Sequence, residues 1–111
     1  MTPEFCDKLL SSANPDYEYW SRTLTPENIA KLQSAPKIGV SADPDVQETA
    51  SALLARAEQS VLCHRYDEAL ADLNLWPEAS RDEMKDQFAE SVQDYDPEFG
   101  NWLKRQPGAS Q

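Results

Sequence analysis

"DPDVQETASALLARAEQSVLCHRYDEALADL", residues 43–73, decides the fold. It opens on a helix-start device. The Asp43 side chain can accept an orphan backbone N–H, Pro44 occupies the first helical position where no N–H is needed, and Asp45 faces the positive end of the helix dipole. Val46, Ala50, Leu53, Ala57, Ser60 and His64 then recur at alternating four- and three-residue steps. That places a narrow stripe of mostly small side chains on one face of a helix predicted over 44–63. Leu62, Tyr66, Leu70 and Leu73 form a second stripe that starts on a different face. A second helix is therefore predicted over 65–74, with a bend near Cys63–Arg65 that no glycine or proline enforces.

The same device recurs along the chain. Thr2-Pro3-Glu4, Asn14-Pro15-Asp16, Thr25-Pro26-Glu27 and Asp96-Pro97-Glu98 each set a capping side chain, a proline and an acid in order. They predict helices over 3–11, 15–22, 26–34 and 97–105. Ser80 with Glu83 reads as a capping box that opens a helix over 80–95. The intervals between the prolines are irregular, so the device marks helix starts and not a duplicated unit. "SAPKIGVSAD", residues 34–43, is the extended connector, and no run alternates long enough to argue a sheet. The predicted fold is all-α, a compact bundle of about five to seven helices in a single domain over 1–106, with a tail at 107–111.

Composition narrows the function classes. The 111 residues carry 20 carboxylates against 10 Lys and Arg, a formal charge of -10, which repels phosphate backbones and anionic membranes. Residues 66–99 hold eleven of the acids and only Arg81 and Lys85 as bases, so the acidity is concentrated in the C-terminal half. No stretch approaches a membrane span, and the N-terminus lacks a basic start followed by an apolar run, so a cytoplasmic protein is expected. Cys6 and Cys63 are too few for a disulfide scaffold. In a reducing compartment each defaults to a small buried apolar residue, with a bridge between them as the lesser alternative.

No constellation compels a chemistry. Cys63 and His64 are adjacent in sequence, and neighbours on a helix point about 100° apart, too far to share a proton readily. With Cys6, Cys63 and His64 as the soft ligands and no paired-Cys spacing, neither metal nor cofactor is expected. "YDEAL", residues 66–70, resembles the start of the second helix of a tetratricopeptide repeat. The upstream Trp, Gly and Tyr positions of that motif hold Leu53, Ala57 and Ser60 here, and one unit of a solenoid cannot bury its own face.

Binding surfaces are the stronger candidates. Asp82, Asp86, Glu90 and Asp94 fall at i, i+4 steps as one carboxylate stripe, opposite Met84, Phe88, Val92 and Tyr95. The stripe is either a solvated face or a seat for a basic partner surface. Tyr17, Tyr19, Trp20 and Trp102 are the aromatic candidates for partner contact, although most rings are needed in a core of this size. The stripe of Val46, Ala50, Leu53 and Ala57 suits an internal helix contact first and a homodimer seam second.

In size, in the "TPEF" and "NPDYEYW" helix starts and in its acidic helices, the chain resembles the small acidic quorum-sensing anti-activators, the QslA-like group. The resemblance implies a non-catalytic helical dimer. Such a protein binds a LuxR-type transcriptional regulator and blocks its dimerisation and its attachment to DNA, without itself touching nucleic acid. The competing expectation is an acidic nucleic-acid mimic, or an immunity or anti-defence protein, whose Asp82, Asp86, Glu90 and Asp94 stand in for phosphates.

Overall fold

The helix starts set the architecture, and four of the expected side-chain caps are formed. In a computed structural model, which describes residues 3–11, 14–35 and 43–106, the chain runs through α1 (Pro3–Leu9), α2 (Pro15–Thr23) and α3 (Pro26–Ser34). It continues through α4 (Pro44–Leu62), α5 (Tyr66–Leu73), α6 (Glu78–Val92) and α7 (Pro97–Lys104). The described residues contain no strand. Asn14, Thr25, Asp43 and Asp96 each accept a backbone N–H from the first turn of the following helix. Thr2, the centre of the 34–43 connector and the 107–111 tail lie outside the described residues.

One helix start differs from expectation. α6 begins at Glu78, not Ser80, with Pro77 preceding it in an extended conformation and no side-chain cap. Arg81 instead reaches back to donate two hydrogen bonds to the Trp76 carbonyl oxygen, at 3.2 and 2.9 Å, and Ser80 is buried inside the helix. Pro77, already fixed near the helical φ, starts the helix two residues early.

The bend after α4 is a Schellman turn. The His64 N–H donates to the Val61 carbonyl at 3.0 Å and the Arg65 N–H to the Ser60 carbonyl at 2.8 Å, the pair of bonds that closes a helix C-terminus. His64 takes the left-handed position, φ 57°, that glycine usually fills. This is why the chain turns without a glycine.

Helices α2, α3, α5 and α6 all pack on α4. Val46, Ala50, Leu53, Ala57 and Val61 join Leu32, Ala69, Leu73, Trp76, Met84, Phe88, Val92, Phe99 and Leu103 in one core. The homodimer seam considered for Val46, Ala50, Leu53 and Ala57 is therefore corrected. All four side chains are covered by the chain's own helices, and none is more than 4% exposed. Small side chains at 57, 60 and 69 suit the close packing of α5 on α4. The two are riveted by a fork in which Arg56 Nε donates to Asp72 Oδ2 at 2.9 Å and Nη2 to Oδ1 at 2.6 Å. At the other end of α5, Tyr66 and Phe99 meet edge to face at 5.2 Å between ring centroids, and Phe99 meets Phe88 the same way at 5.7 Å. This aromatic chain joins α5, α6 and α7.

Cys6 and Cys63, expected as two separate apolar residues, are bonded to each other, with Cα atoms 5.7 Å apart at a sequence separation of 57. The bridge fastens α1 to the Schellman turn, where Arg65 also pairs with Asp7. Paired cysteines persist in oxidising surroundings, so the bridge does not accord with the reducing compartment on which the expectation of two apolar thiols rests. No described helix is long and apolar enough to cross a membrane.

Loop-closure arithmetic assigns the bridge about 4 kcal/mol. Replacing both cysteines with serine is expected to lower the urea-unfolding free energy by that order, and reductant should move the wild-type chain to the same midpoint. Equal midpoints for oxidised wild type and the double serine variant would exclude a stabilising bridge. Arg56→Ala leaves the largely buried Asp72 carboxylate without its fork, and a loss of about 2 to 3 kcal/mol is expected in the same assay.

Candidate functional site

The helices leave one broad groove open between α4 and α6. Its α4 wall consists of Ser51, Leu54, Ala55 and Glu58, spaced i, i+3, i+4 and i+7 on one helical face. Its α6 wall carries Ser80, Glu83, Met84, Gln87, Phe88 and Ser91, again one face over three turns. Trp76, from the turn between α5 and α6, completes the lining. The volume is about 690 Å³. Two walls with helical periodicity follow from the packing, because α6 leans on the core through Met84, Phe88 and Val92 while α7 covers part of its other side.

The groove is apolar inside and acidic at its edges. Leu54, Trp76, Met84 and Phe88 are buried or half-buried, whereas Glu58 and Glu83 are exposed on opposite walls. Burial, then the charge of Glu58, pushes the Tyr95 hydroxyl's pKa up. Tyr95, expected on the apolar face of its helix, lies beyond the end of α6 and is 43% exposed. The Trp76 indole N–H is buried and finds no acceptor among the described residues. No Lys or Arg lines the groove.

Asp82, Asp86 and Glu90 stand exposed on the outer flank of α6, and Asp94 is exposed in the turn after it. At about 100° per residue, Glu83 falls between the groove and this stripe, so rim and stripe form one continuous acidic flank. Lys85, on the core side of α6, is only 3% exposed, and burial followed by the nearby Arg81 charge lowers its pKa. It therefore offsets little of the acidity that a partner would meet.

The aromatic candidates divide. Trp20 is withdrawn into the interior at 3% exposure, which corrects its assignment to a partner surface. Removing so large an apolar ring area from water is favourable wherever neighbouring helices can cover it. Trp102 is half-buried against Tyr66 and Phe99, with ring centroids 5.3 and 5.8 Å away. Tyr19 is half-buried, and burial, then Glu48, raises its hydroxyl pKa. Tyr17 is exposed. None of these four lines the groove. Leu54, Ala55, Met84 and Phe88 were the residues missed as a possible binding surface, and the i, i+3, i+4 pattern alone assigns such positions to a core as readily as to a groove.

The Cys63–His64 pair sits in a different place, at the Schellman turn. Cys63 is in the disulfide, and the largely exposed His64 turns its Nδ1 toward Tyr66 Oη at 3.4 Å and Asp96 Oδ2 at 3.5 Å. Asp96 is buried and already accepts the Tyr66 hydroxyl at 2.5 Å and the Phe99 N–H at 3.2 Å. The cluster thus caps α7 and locks α5 to it. A smaller cavity of about 330 Å³ contains Arg56 and Arg65, both engaged in ion pairs. Among the described residues no group of three or more His, Cys, Asp or Glu side chains is arranged to hold a metal ion.

No family profile, curated protein or solved structure matches the chain.

Burial, then Asp96, holds the Tyr66 hydroxyl well above the ordinary phenol pKa. Unfolded tyrosine ionises near pH 10 while folded Tyr66 keeps its proton. The unfolded state then binds fewer protons, and this contribution to stability is complete below about pH 10 and falls as pH rises further. Urea midpoints measured from about pH 8 to 11 should decline more steeply for wild type than for Tyr66→Phe. Parallel declines would show that Tyr66 does not carry the effect.

Proposed function

We propose that the chain is a non-catalytic binding protein that inhibits a protein partner by occupying its surface, and that this partner is a transcriptional regulator of the LuxR type. The α4–α6 groove carries this reading. It offers apolar area for anchors from the partner, and the carboxylates at its rim steer a basic surface toward it. Inhibition is steric: a regulator whose dimerisation surface is covered does not pair and does not hold DNA. The acidic chain itself is kept off DNA by repulsion. Trp20, being interior, is a folding residue in this scheme, and Trp20→Ala reports stability and not affinity.

A purified LuxR-type regulator, mixed with increasing amounts of the chain, is expected to lose its dimer in light scattering and its operator complex in a gel shift. Ala55→Arg, which places a long charged side chain in the groove from an exposed helix position, should weaken that inhibition by roughly tenfold or more. A regulator that stays dimeric and DNA-bound at saturating chain would refute the assignment.

The exposure of Asp82, Asp86, Glu90 and Asp94 favours one second reading, a nucleic-acid mimic that blocks a nucleic-acid-binding or toxin partner. Successive carboxylates on α6 are about 6 Å apart along the helix. Changing all four to Asn or Gln would then abolish binding and its steep salt dependence, while Ala55→Arg would leave both unchanged.

A further inference from the structure

We propose that the α4–α6 groove is built to receive one basic amphipathic helix of the partner, lying along α6. This rests on the protein-binding reading above and specifies the element that is bound. Both walls are single helical faces, from Ser51 to Glu58 and from Ser80 to Ser91, and the longer spans about 16 Å. A third helix laid between them presents side chains at i, i+4, i+7 and i+11 to the whole length of the floor, as helix-in-groove recognition requires. Met84 and Phe88 supply floor contacts, and the flexible thioether adapts to the shape of incoming anchors.

Charge selects the kind of helix. Glu58 on one wall and Glu83 on the other flank the floor, and Asp86 and Glu90 extend the second flank. An incoming helix with Lys or Arg on either side of its apolar stripe meets a carboxylate on both edges. A neutral helix gains only the apolar contact, and an acidic one is repelled. The same argument disfavours a second copy of this chain, which would bring its own charge of -10 to the acidic rim. Polar groups stand mainly along the edges of the groove, a layout that suits the flanks of a helix better than the convergent polar contacts of an enclosed small molecule.

The test uses the full chain and synthetic peptides of about 18 residues with leucines at i, i+4, i+7 and i+11 and about six flanking lysines. Two controls accompany it: a scrambled peptide of identical composition, and one with every lysine changed to glutamine. Binding is measured by calorimetry and located by amide chemical-shift changes. The basic amphipathic peptide is expected to bind roughly tenfold or more tighter than either control, with shifts at Leu54, Ala55, Met84 and Phe88. Ala55→Arg and Glu83→Lys, both at exposed positions, should each weaken it by roughly tenfold while leaving the circular dichroism spectrum unchanged.

Equal binding of the scrambled peptide, with shifts spread over Asp82, Asp86 and Glu90, would overturn the proposal in favour of diffuse electrostatic attraction. Equal binding of the glutamine peptide would overturn the basic character of the occupant. A dimer of the chain that dissociates in Ala55→Arg would assign the groove to a second copy instead. Failure of the peptide to bind, together with inhibition of a regulator that is lost in Ala55→Arg, would remove the helix and leave the groove-based inhibitor reading standing. Tight groove binding of the peptide without inhibition of any LuxR-type regulator would do the reverse.

Discussion

The structure depends on a single constraint: α4 must be covered on most of its circumference. It is the longest helix, and Thr49, Leu53, Ala57 and Val61 on it are wholly inaccessible to water. An isolated helix of this length gains little from its own hydrogen bonds, so its stability comes from what packs against it. Helices α2, α3, α5 and α6 supply that cover from different directions. Small residues on the α5 side allow close approach, and the Arg56–Asp72 fork fixes the distance once it is reached. The remaining exposed strip, from Ser51 to Glu58, becomes one wall of the groove.

The groove is thus a consequence of how the core is filled. α6 uses Met84, Phe88 and Val92 to reach the interior, with α7 secured to it through Phe99. Met84 and Phe88 serve both sides, closing the core below and forming the groove floor above. Acidity follows from the same geometry. A helix whose apolar residues already face inward and sideways has only its outer flank for charges, and Asp82, Asp86 and Glu90 occupy it. Their mutual repulsion is weak where water screens them, and it becomes available as attraction when a basic surface approaches.

The junction at Cys63–Tyr66 joins several tasks in four residues. The Schellman turn reverses the chain, the Cys63 sulfur holds α1, Arg65 pairs with Asp7, and Tyr66 shares Asp96 with the cap of α7. A left-handed backbone at His64 is unfavourable for a residue with a Cβ by about 1 kcal/mol. It is maintained because the turn's two hydrogen bonds, from the N–H groups of His64 and Arg65, close the end of α4 around it. The lone histidine therefore marks a structural hinge point, while the acidic groove lies on a different part of α4.

Proline-led caps and hydrophobic periodicity place six of the seven helices, and α6 is expected from a Ser80 capping box that is not formed, because the signals that succeed act within one or two turns and need no distant partner. They also located the acidic flank, since charges at i, i+4 spacing share a helix face wherever the helix lies. Long-range contacts were not legible in the same way. Cys6 and Cys63 are separated by 57 residues, and nothing local distinguishes a pair destined to bond from two buried thiols. Trp20 and Tyr17 sit three residues apart on α2, one buried and one exposed, because tertiary packing and not local spacing decides which ring is covered. The same limit applied to Leu54, Ala55, Met84 and Phe88. By itself the sequence determined that these residues lie on apolar helical faces; the tertiary structure decided that the faces diverge enough to leave a groove, since burial is a property of the neighbours and not of the residue.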